Sequence, residues 1–189
     1  MATTFFQDPA DPMITPTRWF DRTFTFDLPL GAFPAVLERL RGTPARAAEL
    51  VAGLPPQVLT RRVDGKWSIQ EHIAHLADLG VLDDKRLDDY LTNTPNLTVA
   101  DLQNRATETA DHNRQPIAAV LERLRKGRMD LVRRMDVLTE AEVGRSAIHP
   151  RLKQPMRLLD WAIFVSDHDD HHLAHVHQAI AAAKATPRA

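Results

Sequence analysis

Cysteine is absent from the sequence, so the chain can form no disulfide, no thiolate nucleophile and no cysteine-ligated zinc or iron–sulfur site. Glycine is scarce, with seven copies, and neither a glycine-rich phosphate loop nor a Gly-x-Ser-x-Gly elbow occurs. Neither sign of charge is in excess, since 24 Lys and Arg face 25 Asp and Glu. This balance argues against the cationic surface that nucleic-acid-binding proteins and anionic-membrane-binding proteins present.

Long hydrophobic runs are also missing. The longest apolar stretches are much shorter than the roughly 20 residues that a membrane-spanning helix needs. Residues 1–10 show neither the basic nor the apolar region of a secretory signal. We therefore expect a cytoplasmic protein whose partner is a small-molecule substrate and which binds neither nucleic acid nor membrane.

The 189 residues are about the length of one domain, and their composition favours an all-α fold. Ala, Leu, Arg and Glu dominate the long segments, and no window alternates between polar and apolar residues as a strand does. Residues 1–29 hold prolines beside aromatic residues and are predicted to be an irregular segment packed on the helices. Residues 30–184 are predicted to form a four-helix bundle, followed by a frayed tail at 185–189.

Apolar periodicity and helix-breaking residues predict the helices in more detail. Gly42-Thr43-Pro44 is expected to separate an N-terminal pair of helices, and a loop is expected over 92–104. Two capping boxes, at Ser68 and at Thr139, mark helix starts. The predicted helices are 32–41, 44–53, 68–91, 111–137 and 155–184, with a short helix after Thr139.

Histidine is concentrated in two of these helices. The seven copies there are His72 and His75 in the 68–91 helix, and His168, His171, His172, His175 and His177 in the last. His168 and His172 are four residues apart and therefore share one helix face, where Trp161, Val165 and Val176 are apolar neighbours. Two inward-facing imidazoles at this spacing can chelate one metal ion; alternatively, they are neutral core histidines that hydrogen-bond to each other.

A catalytic metal site needs a third protein ligand and an open position, and His75 and His72 are the two candidates. Three imidazoles suit Zn²⁺, Ni²⁺ or Fe²⁺. His149 is either a turn residue or a group on the substrate side, whereas His112 and His177 are expected at the surface. Four acidic residues either orient imidazoles or form a solvated face, the latter expected for at least two: Asp78, Asp167, Asp169 and Asp170.

Two stretches of the sequence resemble the DinB/YfiT-like family of metalloenzymes. In the first, Trp67 opens a helix and His75 follows eight residues later, as the family's metal-binding histidine does. In the second, a His-Pro turn at His149 leads into a helix whose His168 and His172 match the family's HxxxH ligands. The resemblance implies that His75, His168 and His172 bind the metal.

The resemblance extends over about residues 33–182, and 1–29 have no counterpart. It departs from the family pattern at Lys153, where glycine is frequent, and near His175, where glutamine is frequent. It implies an up-down-down-up four-helix bundle, a homodimer and a three-histidine site in an internal cleft. Characterised relatives include thiol-dependent transferases and a maleylpyruvate isomerase.

The expected function is that of a divalent-metal-dependent enzyme. The ion would activate a low-molecular-weight thiol or water for transfer to an electrophile or for hydrolysis. The sequence shows no evident second general base, which favours the thiol. The alternative is a non-catalytic bundle that binds a metal or a small ligand, in a pocket lined by Trp19, Phe20 and Trp161.

Overall fold

Four helical rods and a short hairpin make up most of the structure, a computed structural model that describes residues 14–185. The predictions for 1–13 and 186–189 lie outside the described residues. The helices are α1 (Phe33–Val51), α2 (Pro56–Leu59), α3 (Ile69–Asp78), α4 (Gly80–Leu91), α5 (Arg105–Thr109), α6 (Ile117–Met135), α7 (Glu140–Val143) and α8 (Leu158–Ala185), and the strands are β1 (Ser146–Ile148) and β2 (Pro155–Arg157). No helix of the described part has the length and apolarity to cross a bilayer.

The first rod is α1, and the second consists of α3 and α4, which are nearly continuous. The third rod is α6 and the fourth is α8. One apolar cluster joins the first halves of α1 and α8 to α4 and the second half of α6. The other cluster joins the second halves of α1 and α8 to α3 and the first half of α6. The first and last rods therefore run one way and the middle two run the other way, which confirms the predicted four-helix bundle.

A layer of buried polar side chains crosses the bundle between the two apolar clusters. Each rod contributes one member: Thr43 from α1, Asp83 from α4, Arg128 from α6 and Asp169 from α8. The two Nη atoms of Arg128 donate to Asp83 Oδ2 at 3.0 Å and to Asp169 Oδ1 at 2.7 Å. The Thr43 hydroxyl donates to Asp169 Oδ2 at 2.9 Å, so one ionic network joins all four rods.

Helix α1 continues through Pro44, so the prediction of two helices over 32–41 and 44–53 is wrong. A proline inside a helix costs about 3 kcal/mol because it removes one hydrogen bond and crowds the preceding turn. Leu40 and Ala47, on either side of the proline, are fully buried, and α1 packs against both α6 and α8. Each large apolar side chain buried along this face contributes about 1.5–3 kcal/mol, and their sum exceeds the cost of the proline.

Two other predicted helices are too long. The predicted 68–91 helix divides at Leu79 into α3 and α4. The predicted 111–137 helix begins only after Pro116, and His112–Arg114 form a separate 3-10 turn. Gln115 is extended at ψ 148° because the residue before a proline is excluded from the helical region.

The predicted 155–184 helix also starts late, because its first three residues form β2. Strand β2 pairs antiparallel with β1, with Ala147 opposite Met156. Strands of three residues are too short to produce a detectable alternation, so the sequence did not predict this hairpin. The sequence did not predict helices α2 and α5 either, because they are too short to show a periodic pattern.

Helix α3 starts at a capping box, and both predicted capping boxes are present. The Ser68 N–H donates to Glu71 Oε2 at 2.8 Å, and the Glu71 N–H donates to Ser68 Oγ at 3.2 Å. Burial acts to raise the pKa of Glu71, but hydrogen bonds from Arg62 and Ser68 lower it to about 2. This fixed start sets the rotation of α3, and therefore the direction in which His75 points two turns later.

The described residues before α1 pack along α8. The ring centroid of Trp19 lies 5.3 Å from that of Phe24 and 5.0 Å from that of Phe164 on α8. Phe24 stacks on Phe26 with centroids 6.1 Å apart. These contacts hold the Trp19 ring against Phe164, which lies one turn before His168 on α8.

Candidate metal centre

Three histidines from two helices converge beside the polar layer. His75 belongs to α3, and His168 and His172 lie one turn apart on α8. One ring nitrogen of each lies within 4.8 Å of the others, and the Nε2 atoms of His168 and His172 are 3.2 Å apart. The structure thus brings together the three residues predicted as metal ligands, and their binding of an ion stays a prediction.

All three imidazoles are neutral at pH 7. Burial lowers the pKa of His75 to about 4, despite the opposing charge of Asp78. Burial and the neighbouring imidazoles lower the pKa values of His168 and His172 well below the usual 6.5. Because a histidine must be deprotonated to bind a metal, the site holds its candidate ligands in the state that an ion requires.

Second hydrogen-bond partners orient two of these rings. The Thr107 hydroxyl donates to Asp78 Oδ2 at 2.8 Å, so it accepts from His75 Nδ1 at 3.1 Å. This bond leaves the lone pair of His75 on Nε2. Nδ1 of His172 lies 2.9 Å from Nδ1 of His72, which leaves its Nε2 facing His168. Partners of this kind fix the tautomer and the orientation of metal-binding histidines.

The three histidines border a cleft of about 330 Å³. Two tryptophans flank them: the Trp19 ring lies 4.7 Å from the His168 ring, and the Trp67 ring lies 4.7 Å from the His75 ring. The Trp67 Nε1–H donates to Glu108 Oε1 at 2.6 Å, which ties this wall to α5. The cleft lies at the lower end of the size range of small-molecule pockets, about 300–1,000 Å³.

The prediction that His112 lies at the surface is wrong. Its side chain is buried, and its Nε2 lies 2.8 Å from Asp78 Oδ2. Asp78 therefore supports two imidazoles, one directly and the other through Thr107. His177 is exposed, as predicted.

Only one of the four acidic residues near the histidines orients imidazoles, and the expected solvated face is replaced by contacts with arginines. Asp78 orients an imidazole, and Asp169 belongs to the buried network with Arg128. Asp167 and Asp170 instead accept hydrogen bonds from arginines of α1 and of the segment before it: Arg22, Arg39 and Arg46.

The remaining histidines of interest lie around the centre. His149 lies in the turn after β1, is buried, and lines the cleft. His171 also lines the cleft, whereas His175 stacks on His72 with ring centroids 5.4 Å apart. The prediction that Trp161 lines the pocket is wrong, because its side chain is fully buried in the apolar core.

Sequence reasoning missed Thr107 and Arg128. Thr107 lies on the short helix α5, and nothing local to it indicates that it faces His75. Arg128 did leave a signal, because it occupies the apolar stripe of α6 between Leu124 and Leu131. A charged residue at such a position needs a buried partner, and this identifies it as part of a network.

Comparison with known proteins agrees with this architecture. The sequence model of the DinB superfamily matches residues 39–176. Among solved structures the chain is similar to YfiT from Bacillus subtilis, described as a probable metal-dependent hydrolase with an unusual four-helix bundle topology. The TM-score is 0.76 at 21% identity, over 87% of this chain and 95% of that one, which shows a common fold. No curated protein matches the sequence significantly.

Proposed function

The chain belongs to the DinB superfamily, and from this premise we propose that it is a divalent-metal-dependent enzyme acting on a small molecule. His75, His168 and His172 would hold the ion, which is Zn²⁺, Ni²⁺ or Fe²⁺ by ligand type. The proposal is carried by one observation: three converging imidazoles border a cleft of about 330 Å³. Structural metal sites are closed by protein ligands, whereas catalytic sites keep a position open for the substrate.

The donor set fits a divalent ion in its chemistry. The imidazoles are neutral, and the hydrogen bond from Nδ1 of His75 to Thr107 leaves its Nε2 for the ion. Nε2 of His172 is free for the ion in the tautomer whose Nδ1–H donates to Nδ1 of His72. A specific contact also favours a metal-free alternative, in which His168 Nε2–H donates to His172 Nε2 across 3.2 Å. The two candidates differ in whether a metal stabilises the fold.

When bound, such an ion supplies Lewis acidity that makes a small thiol or water nucleophilic at neutral pH. Among the residues that the structure describes, three carboxylates line the cleft, and each already accepts hydrogen bonds from the protein. Asp83 and Asp169 are bonded to Arg128, and Asp101 accepts from two backbone N–H groups. A thiol loses its proton far more readily than water, so this arrangement favours a low-molecular-weight thiol as nucleophile.

Hydrolysis is the second candidate reaction, and the description of YfiT favours it. The two reactions separate when an activated ester is incubated with the metal-loaded chain, with and without glutathione. A thioester product indicates transfer to the thiol, and the free acid without glutathione indicates hydrolysis.

Metal titration of the chelator-treated protein is expected to raise its melting temperature. At a metal concentration of about 100 Kd the gain is about 2.7 kcal/mol, or roughly 5–10 °C for a chain of this length. His172→Ala should abolish the gain because it removes one of three ligands. Differential scanning fluorimetry with Zn²⁺, Ni²⁺ and Fe²⁺, the last without oxygen, measures the shift.

His177→Ala is the matched control, because His177 lies on the same helix and is exposed. It should gain as much stability from the metal as the wild type does. If His172→Ala gains the same stability as well, the assigned ligand set is wrong. If no metal shifts the wild type, the metal-free alternative holds.

A further inference from the structure

A group of hydrogen-bond donors lines the cleft beside the three histidines. Arg86, His149 and Arg151 form this donor cluster. Arg86 lies on α4, and the other two lie in the turn between β1 and β2. The His149 N–H donates to the Gln154 carbonyl at 3.0 Å, and the Lys153 N–H donates to the His149 carbonyl at 2.8 Å, which fixes the turn.

His149 presents a buried N–H that has no acceptor. Its side chain is only 2% exposed, and its Nδ1 accepts from the Leu152 N–H at 3.2 Å. The proton of the neutral ring therefore lies on Nε2, and burial keeps the ring neutral by lowering its pKa to about 3. Within the described part of the chain, Nε2 is buried without a hydrogen-bond partner. Buried polar groups without a hydrogen-bond partner are rare in proteins. Because this one lines a cleft, a ligand in the cleft could accept its hydrogen bond.

The two arginines of the donor cluster form no salt bridge with any residue that the structure describes. Nη2 of Arg151 is buried and unbonded, and burial alone lowers the pKa of this side chain. Arg86 is buried and donates from Nε to the Thr98 carbonyl at 3.0 Å. The carboxylate that acts most strongly on Arg86 is Asp83, which is itself hydrogen-bonded to Arg128. The cleft therefore holds two guanidinium groups without an ion pair of their own.

Aromatic rings connect the donor cluster to the three histidines. The Trp19 ring lies 4.7 Å from the His168 ring and 5.9 Å from Cζ of Arg151. The Phe164 ring lies 4.9 Å from the His149 ring and 5.5 Å from the same Cζ. A molecule with an anionic end at the donor cluster could thus lie along these rings and reach the candidate metal ligands.

We propose that the donor cluster is an oxyanion-binding subsite, which holds a carboxylate or phosphate group of a small reactant beside the three histidines. Guanidinium groups and an imidazole N–H are the donors that match such oxygens, and the aromatic rings match an apolar body. The role of the subsite in catalysis rests on the proposed function, whereas its binding of an anion does not. The substrate class is an acid with a short apolar or aromatic body.

Isothermal titration calorimetry with three probes of similar body tests this subsite: benzoate, phenyl phosphate and benzyl alcohol. It is performed on both the metal-loaded and the metal-free protein, because an anion can also bind to a metal ion. At least one anion should bind about tenfold or more tightly than benzyl alcohol in both forms. If benzoate binds more tightly than phenyl phosphate, the recognised group is a carboxylate; if phenyl phosphate binds more tightly, it is a phosphate.

Arg151→Met should weaken anion binding about tenfold or more and leave the metal content unchanged. Nη2 of Arg151 makes no hydrogen bond with any residue in the described range 14–185, so its removal breaks none there. His149→Phe provides a second variant with the same expected loss. Arg114→Met is the control of equal charge, since this side chain is 86% exposed and lies outside the cleft.

Equal binding of the anions and benzyl alcohol would overturn the subsite, as would wild-type anion affinity in both Arg151→Met and His149→Phe. Either result is compatible with a functional metal centre. Anion binding that the variants lose, in a chain that takes up no metal, would support the subsite and refute the proposed function.

Discussion

Replacing Arg128 with methionine is expected to lower the free energy of unfolding by about 3–5 kcal/mol. The variant keeps a long side chain but removes the guanidinium that lies between Asp83 and Asp169, which are both buried. Burial already raises the pKa values of both carboxyls, to about 6 for Asp169. Without the arginine, these groups must either remain charged in the bundle or take up protons at neutral pH. Urea unfolding at pH 7, followed by tryptophan fluorescence, measures the loss.

Arg125→Met is the matched control on the same helix. Arg125 and its partner Glu122 are each 61% exposed, so their loss should cost less than about 1 kcal/mol. Addition of Asp83→Asn and Asp169→Asn to Arg128→Met should recover part of the stability, because no charge is then left buried. A loss of under about 1 kcal/mol for Arg128→Met alone would show that the network does not stabilise the bundle.

The metal-free protein is expected to lose several kcal/mol of stability on mild acidification, as the pH falls from 7 towards 5. Seven histidines have pKa values lowered by burial, and five of them are the most deeply buried: His72, His75, His149, His168 and His172. His171 and His175 are more exposed and contribute less. Well above pH 6.5 these histidines are neutral in both the folded and the unfolded state and do not affect the free energy of unfolding. Below pH 6.5 these histidines bind protons in the unfolded chain but stay neutral in the folded chain. The free energy of unfolding therefore falls as the pH falls towards the pKa values of the folded state.

The buried carboxyls of Asp83 and Asp169 act in the opposite direction. Because burial raises the pKa values of both carboxyls, to about 6 for Asp169, the folded state takes up protons before the unfolded state does and gains stability as the pH falls. Each histidine contributes up to about 1.4 kcal/mol per pH unit, so five histidines less two carboxyls leave about 4 kcal/mol per pH unit. Two units of this slope amount to about 8 kcal/mol, which is comparable with the total stability of about 5–15 kcal/mol of a typical domain.

Urea unfolding at pH 7.0, 6.0 and 5.5 measures this slope. His72→Gln should reduce it by up to about 1.4 kcal/mol per pH unit, with the full effect only below about pH 6, where the unfolded histidine is protonated. His177→Gln should leave it unchanged, because this residue is exposed. A free energy of unfolding that is equal at pH 7.0 and 5.5 would mean that the histidines are not held neutral by burial.

The fold could be predicted because the rods are long and their starts are local. The apolar stripes of α3, α6 and α8 and the two capping boxes are properties of neighbouring residues. Pro44 shows where such reasoning fails, because a local break signal was overridden by burial on both sides of it. The hairpin of β1 and β2 was not predicted for another reason, since its pairing partners lie seven to eleven residues apart and each strand is only three residues long.

The candidate site was partly predictable for the same reason. The spacing of His168 and His172 within an apolar stripe is local, and it indicated a pair that faces the bundle interior. The residues alone left His72 and His75 open as the third ligand, because only the rotation of α3 against α8 separates them. Thr107 depends on the placement of a five-residue helix, which no periodic pattern reveals.

Metal content tests the central claim most directly, measured by elemental mass spectrometry on tag-free protein purified without chelator. We expect about one divalent ion per chain in the wild type and in His177→Ala, the exposed control. His168→Ala should hold almost none while keeping the helical circular dichroism of the wild type. A wild type that takes up no ion even after reconstitution, or a His168→Ala variant with full occupancy, would contradict a metal centre at these three histidines.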